Sequence, residues 1–151
     1  MPTVDLSVAY GQVCIFDPAL EAPYNDWTQD HVAQGFSWRS GSVSFAVADG
    51  VEARLSVTIS DVEPRIPEGV QAIRVPFDVP TSGQIEVGTV MAGEIVAAPS
   101  GAYALYFIDH GEGAGLFEVV LQPASGVAPA VLQGGETFRM RDRYLMDAKP
   151  A

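Results

Sequence analysis

"SVSFAVADGVEARLSVTIS", residues 42–60, is the stretch whose reading decides the fold. Val43, Phe45 and Val47 alternate with Ser42, Ser44 and Ala46. Val51, Ala53, Leu55, Val57 and Ile59 alternate with Glu52, Arg54, Ser56, Thr58 and Ser60. A period of two sends one set of side chains to a core and the other to water, which is the signature of half-buried strands. Asp49-Gly50 marks the turn between them. A two-residue loop would set Val47 opposite Glu52 and mix the faces. A three-residue loop, Ala48-Asp49-Gly50, sets Val47 opposite Val51, Phe45 opposite Ala53 and Val43 opposite Leu55. The pattern therefore predicts an antiparallel hairpin closed by a type I turn, with Gly50 left-handed in a G1 bulge.

Strand candidates continue on both sides. "VDLSVAYGQVCIF" opens the chain, and "AIRVPFDV" carries Pro76, which has no N–H for a ladder and points to an edge or a bulge. "GQIEVGTV" sets Ile85, Val87 and Met91 on one side. "YALYFI" is apolar on both faces, as a central strand covered twice should be. "LFEVVLQ" and "TFRMRDRYLM" follow, and the separators "PTSG", "APSGA", "GEGAG" and "LQGGE" are turn chemistry. About eight short strands of this kind predict an all-β fold, a mainly antiparallel β-sandwich. With 151 residues, no internal repeat and no linker, the chain reads as a single domain over residues 1–151.

The exception is "NDWTQDHVAQGFSWRSGSVSF", residues 25–45. Asn25 or Asp26 can cap a helix, Gln29 stands three after Asp26 as in a capping box, and Gly35 sits where a left-handed C′ residue belongs. The expected helix covers residues 27–34, too short to stand alone, so it docks on the sandwich. Trp27 reads as its anchor and as an end-plug of the core, so that Trp27→Ala should chiefly unfold the protein. Trp38, in the approach to a strand, reads as half-exposed.

Eight basic against nineteen acidic residues give a net charge of −11. That field opposes direct binding to nucleic acid or an anionic membrane and favours a basic protein partner. The single cysteine, Cys14, allows no internal disulfide and suits a reducing compartment. The N-terminus lacks the basic start and apolar block of a signal peptide, and no apolar run approaches the roughly 20 residues of a membrane helix. The expectation is a cytoplasmic protein.

Catalytic chemistry finds little to stand on. His31 and His110 are the only histidines, no strained G-x-S-x-G turn is present, and Cys14 lies inside an expected strand, where a buried structural thiol is the reading. Zinc needs His and Cys ligands that the chain lacks. "DHGEG", with Asp109, His110 and Glu112, is the most metal-like cluster and reads as an ordinary turn. Neither a calcium-loop pattern nor a phosphate-cradling loop occurs. No metal, cofactor or catalytic residue is assigned. Arg139, Arg141 and Arg143 alternate in "FRMRDRY" and read as a stripe that answers carboxylates across strands.

The stretches "LSVAYGQVCIFD", "DWTQDHVAQGFSWRSGSVSF" and "VPFDVPTSGQIEVGTV", with "PSGAYALYF" beyond, resemble the competence protein J family from about Leu6 to Phe107. The combination carries the likeness: D-W-T, then G-F, then S-F on a strand, then V-P-F before a glycine turn. Past Phe107 the chain departs from that pattern. The resemblance implies a non-catalytic protein that binds and restrains a nonspecific, metal-dependent nuclease of the DNA-entry type. An acidic surface suits the basic, phosphate-shaped cleft of such an enzyme. The expected contacts are Asp26, Asp30 and Trp38 around the helix, and a loop cluster of Glu63, Glu68, Asp109 and Glu112. The alternatives are a small-molecule or carbohydrate-binding sandwich, with Trp38 or a tyrosine of "YALYF" stacked on a ring, and a hydrolase with a facing carboxylate pair.

Overall fold

The computed structural model describes residues 2–111, 113–134 and 143–151. Among them are eleven strands and one short helix. In chain order these are β1 (Thr3–Ser7), β2 (Gln12–Phe16), α1 (Gln29–Gln34), β3 (Phe36–Arg39), β4 (Ser42–Ala46) and β5 (Glu52–Ile59). Then come β6 (Gln71–Val79), β7 (Gln84–Gly88), β8 (Gly93–Ala97), β9 (Gly101–Asp109), β10 (Leu116–Pro123) and β11 (Ala130–Gln133). A six-stranded sheet runs β1-β5-β10-β9-β6-β11, and a five-stranded sheet runs β3-β4-β2-β7-β8. Neighbours are antiparallel except β10 and β5, which are parallel. Val13, Ile15, Val43, Phe45, Ile85 and Val87 of the smaller sheet share one core with Leu55, Ile73, Val75, Leu105, Phe107 and Val119 of the larger. Phe45 stacks on Phe107 across the gap, with ring centroids 4.4 Å apart and planes within 5°. The fold is the expected all-β, mainly antiparallel sandwich, built from more strands than the sequence suggested.

The stretch that opened the reading is not a hairpin. β4 pairs with β2 and β3, whereas β5 pairs with β1 and β10 in the other sheet. Alternation fixes which side chains are buried but not which strand lies alongside. Val43 and Phe45 reach the core from one sheet, and Ala53, Leu55 and Val57 reach it from the other, so both topologies satisfy the same pattern. The connection between them is an arch latched to the neighbouring β1–β2 arch. Val8 N–H donates to Val51 O, Gly50 N–H to Val8 O and Val47 N–H to Gly11 O. Gly50 is left-handed as expected, with φ 73°.

Other local readings fare differently. All of Tyr103 to Ile108 is buried, because the segments around Ile66, Val70, Val127 and Leu132 cover the outer face of the six-stranded sheet. β11 pairs only with Ala72 to Arg74 of β6, so Pro76 lies in the half of that strand without a ladder on that side. Met91 does not join Ile85 and Val87. β7 ends at Gly88, and Met91 projects from the following turn 71% exposed.

The helix is shorter than expected and is capped by a different residue. Thr28 is the N-cap: its hydroxyl accepts from His31 N–H, while Thr28 N–H donates to His31 Nδ1 at 3.0 Å. A histidine thus occupies the place usually held by Glu or Gln in a capping box. Gly35 closes the helix in the left-handed region with φ 88°, as expected. Trp27 is not the expected end-plug of the core, whereas Trp38 is half-exposed as expected. Trp27 is half-buried beside His31, outside the core, and its indole N–H donates to Gln12 Oε1 at 3.2 Å. Trp38 lies on β3 and packs against the core, donating to Pro76 O at 2.8 Å. An indole N–H needs a partner when enclosed, and a carbonyl of β6 on the side that β11 does not reach supplies one here.

Of "TFRMRDRYLM", residues 137–142 lie outside the described residues, including Arg139 and Arg141 of the basic stripe. Arg143 onward is not strand. The final segment instead runs as a strap beside β3. Ala148 N–H donates to Trp38 O, Leu145 N–H to Gln34 Oε1, and Gln34 Nε2 returns a bond to Leu145 O. Tyr144 and Met146 of this strap pack on the core.

Candidate functional site

Register places an unusual pair of side chains at one end of the sandwich. Gln71, Asp109 and Phe117 stand opposite one another on β6, β9 and β10, and Phe117 points into the core. Residues directly opposite share a face, so Gln71 and Asp109 occupy core-facing positions. The next rows inward are Ile73, Phe107 and Val119, then Val75, Leu105 and Leu121, all apolar. An amide and a carboxylate in that register end the apolar column, and the sheets part there around a cavity of ≈ 330 Å³. Its walls include Val47, Val51 and Leu116, with Gly69 and Asp109 at its rim. Asp109 Oδ1 accepts the Gly111 N–H at 2.8 Å, which shapes the turn that follows β9.

Two further features flank this lip. The β1–β2 arch, bonded to Val47 as described, carries Tyr10 at φ 60° and 73% exposed. It is the one non-glycine residue with positive φ among the described residues. A bulky residue in that region is strained by on the order of 1 kcal/mol or more. Asp49 holds the arch by accepting the Gly11 N–H at 3.1 Å. On the other flank, Gly35 at the end of α1 accepts Ala46 N–H beside the cavity, and Val32 stands 55% exposed on that helix.

The expected contact residues are not one surface. Asp26 is half-buried and its Oδ1 accepts Lys149 N–H at 2.9 Å, so it anchors the strap. Asp30 is exposed in the first turn of α1, whereas Trp38 is turned to the core. Of the loop cluster, Glu68 precedes Gly69 at the lip that Asp109 shares. Glu63 lies instead near Tyr106 and Arg74 on the outer face of the larger sheet. Burial first, and then the Glu63 carboxylate, raise the Tyr106 phenol above its ordinary value, partly opposed by Arg74. Glu112 lies outside the described residues. Sequence reasoning missed Tyr10 and Gln71, because strain and the inward register of a polar residue are not visible until strands are paired.

The remaining reactive groups are committed to structure. Cys14 is 1% exposed, and burial pushes its thiol up to about 11, slightly offset by the Ser44 hydroxyl that donates to it at 3.5 Å. Such a thiol carries little thiolate near neutrality. His110 Nε2 pairs with Glu118 Oε2 at 2.5 Å. Among the described residues, no three His, Cys, Asp or Glu side chains are grouped so as to hold a metal ion. No helix among them is long and apolar enough to cross a membrane.

The fold is similar to that of a known structure. The crystal structure of ComJ from Bacillus subtilis, described as the inhibitor of the DNA-degrading activity of NucA, superposes with a TM-score of 0.66 at 20% identity. The match covers 82% of this chain and 96% of that one. Residues 5–121 match the Competence protein J (ComJ) family, and the chain belongs to that family. No curated protein matches it.

Proposed function

We propose that this protein is a non-catalytic inhibitor of a nonspecific, metal-dependent nuclease, and that it acts in the cytoplasm by laying an acidic surface into the enzyme's basic DNA-binding cleft. Family membership carries the reading, together with the B. subtilis relative described as an inhibitor of NucA. Charge supplies the mechanism. An enzyme that grips DNA phosphates presents cations, and a partner at −11 is steered to them and competes with DNA. Ring stacking by the tyrosines of "YALYF" is disfavoured, since Tyr103 and Tyr106 are buried.

The test is a titration into the NucA-type nuclease of the same genome, with DNA cleavage as the readout. Stoichiometric inhibition at low salt that weakens as salt rises is the expected result. A folded protein that leaves cleavage untouched at low salt overturns the reading.

A further inference from the structure

We infer that the open edge of β8 is where the nuclease is held, and that this edge takes up an extended apolar segment of the enzyme, flanked by Lys or Arg, as an added strand of the five-stranded sheet. The inference rests on the inhibitor reading and says where and how the enzyme is gripped.

The edge is built for pairing. β8 ends its sheet, and its ladder with β7 runs from Gly93 to Ala97 without a bulge. Ala98 N–H donates to Gly83 O, and Ala92 O accepts Thr89 N–H. Even-numbered residues therefore face β7, and the N–H and C=O groups of Gly93, Ile95 and Ala97 face outward. Ile95 is 51% exposed on the outer face of the sheet. On the inner face, Val96 closes a groove of ≈ 250 Å³ with Pro2, Val57 and Ile59 from the side of the larger sheet. Successive side chains of an added strand would settle alternately in this groove and beside Ile95.

Sheets blunt an open edge with charge, proline, a bulge or a cover. β3, the other edge of this sheet, is covered by the C-terminal strap, whose Ala148 N–H donates to Trp38 O. β1, which ends the larger sheet, exposes Thr3, Asp5 and Ser7. β8 carries one charge, Glu94, and otherwise exposes Ile95 and Ala97, and Met91 extends the apolar strip from the turn before it. Cys14 of β2 pairs with Gly88 of β7, so the Met91 turn lies at the end of the sandwich that carries Tyr10, within reach of an enzyme seated on the edge.

Charge selects the partner. β2, β7 and β8 hold Glu86 and Glu94 and no basic residue, and no Lys or Arg occurs anywhere from 75 to 138. A second copy of this chain would set one acidic edge against another. A nuclease surface made for phosphates brings the cations that this edge lacks. The ladder and the groove then supply affinity, and the surrounding acidity supplies the encounter rate.

Full-length protein and three variants, none of which changes charge, are titrated into the same nuclease, with thermal melting to confirm folding. Ile95→Ser removes the apolar contact. Ala97→Pro removes an outward N–H and sets a ring against the edge. Val32→Ser alters a similarly exposed apolar side chain on α1, next to β3 at the far edge of the same sheet. Ile95→Ser and Ala97→Pro are each expected to weaken inhibition about tenfold or more, and Val32→Ser by less than about threefold. Amide exchange reads the ladder itself: Ile95 and Ala97 N–H should exchange about tenfold more slowly, or slower still, in the complex than in the free protein. Unchanged exchange at both amides in an inhibited complex, or equal, small effects from all three variants, would leave the inhibitor reading standing and overturn the added strand. If Ala97→Pro melts early, Ile95→Ser against Val32→Ser decides. Wild-type protein that does not inhibit overturns both inferences.

Discussion

On the outer face of the six-stranded sheet, Ala104, Tyr106 and Val120 meet Val127 and Leu132, and Ile108 meets Ile66 and Val70. On the outer face of the five-stranded sheet, the segment after β2 lies over Ser37 and Ser42, and apart from the edge-on contact of Tyr24 with Phe16 the contacts that tie it down are hydrogen bonds. Asn25 is buried there, donating from Nδ2 to Ser37 O at 2.9 Å and Ser42 O at 3.1 Å, and accepting Arg39 Nε at 2.7 Å. Ser37 Oγ donates to Asp26 O and Ser42 Oγ to Pro23 O. Both sheets are covered twice, one by apolar area and the other by a polar network. Apolar cover is additive and tolerant of loss. A buried network is cooperative, because each missing member strands its partners without water.

That contrast predicts unequal costs. Asn25→Ala removes one side chain and leaves two carbonyls and a guanidinium poorly satisfied, so it should destabilise by about 3 kcal/mol in chemical denaturation. A loss below about 1 kcal/mol would show that water enters the layer and that the network is not dry. Cys14, in the same layer, gives the next effect. Its thiol has an ordinary value of 9.0 and is pushed up to about 11 by burial. Folding therefore favours the neutral form: its contribution is complete below the unfolded value and is lost as pH rises through the folded one. Stability should drop by on the order of 2 kcal/mol between the two values, and Cys14→Ala should remove that part of the fall. Tyr106, also raised by burial, falls in the same direction in both proteins and cancels in the difference, whereas the part of the Tyr24 shift that comes from the Cys14 charge is removed together with the thiol. Parallel pH curves for the two proteins would mean the layer opens before the thiol titrates. Val127→Ala, in the apolar cover, should cost only about 1 kcal/mol. If it cost as much as Asn25→Ala, the contrast between the two covers would fail.

The same contrast explains what could be read in advance. "YALYFI" announced its double cover because apolar side chains on both faces of a strand leave no other home for them. Ser42 and Ser44 read as solvent-facing, yet both are buried, since a serine under a polar layer has the same sequence as a serine in water. Trp27 reads as the core plug, yet Trp38, itself half-buried, is the tryptophan that packs against the core, for a related reason. Size marks a tryptophan for burial, but which one faces the core is set by strand phase, and Phe36 and Trp38 share the inward phase of β3. Family membership was legible from D-W-T, G-F and V-P-F. The lip was not, because Gln71, Asp109 and Phe117 come together only through pairing across β6, β9 and β10.

Tyr10 brings the smallest expected change in stability and the most pointed test of what that end of the sandwich is for. Tyr10→Gly relieves the left-handed strain but adds freedom to the unfolded chain, so the two terms oppose each other. The net gain should be about 0.5 kcal/mol, seen as a slightly higher melting temperature. Inhibition of the nuclease should weaken at the same time, because the exposed ring is lost. Tyr10→Asn separates the causes, since asparagine tolerates the left-handed region without glycine's freedom and also lacks the ring. It should match or exceed glycine in stability and match it in weakened inhibition. A Tyr10→Gly protein that melts earlier would mean that the ring is held by packing on its own arch, and that the strain serves the fold. A protein made more stable and less inhibitory shows the reverse: a residue that costs the fold and is kept for its partner.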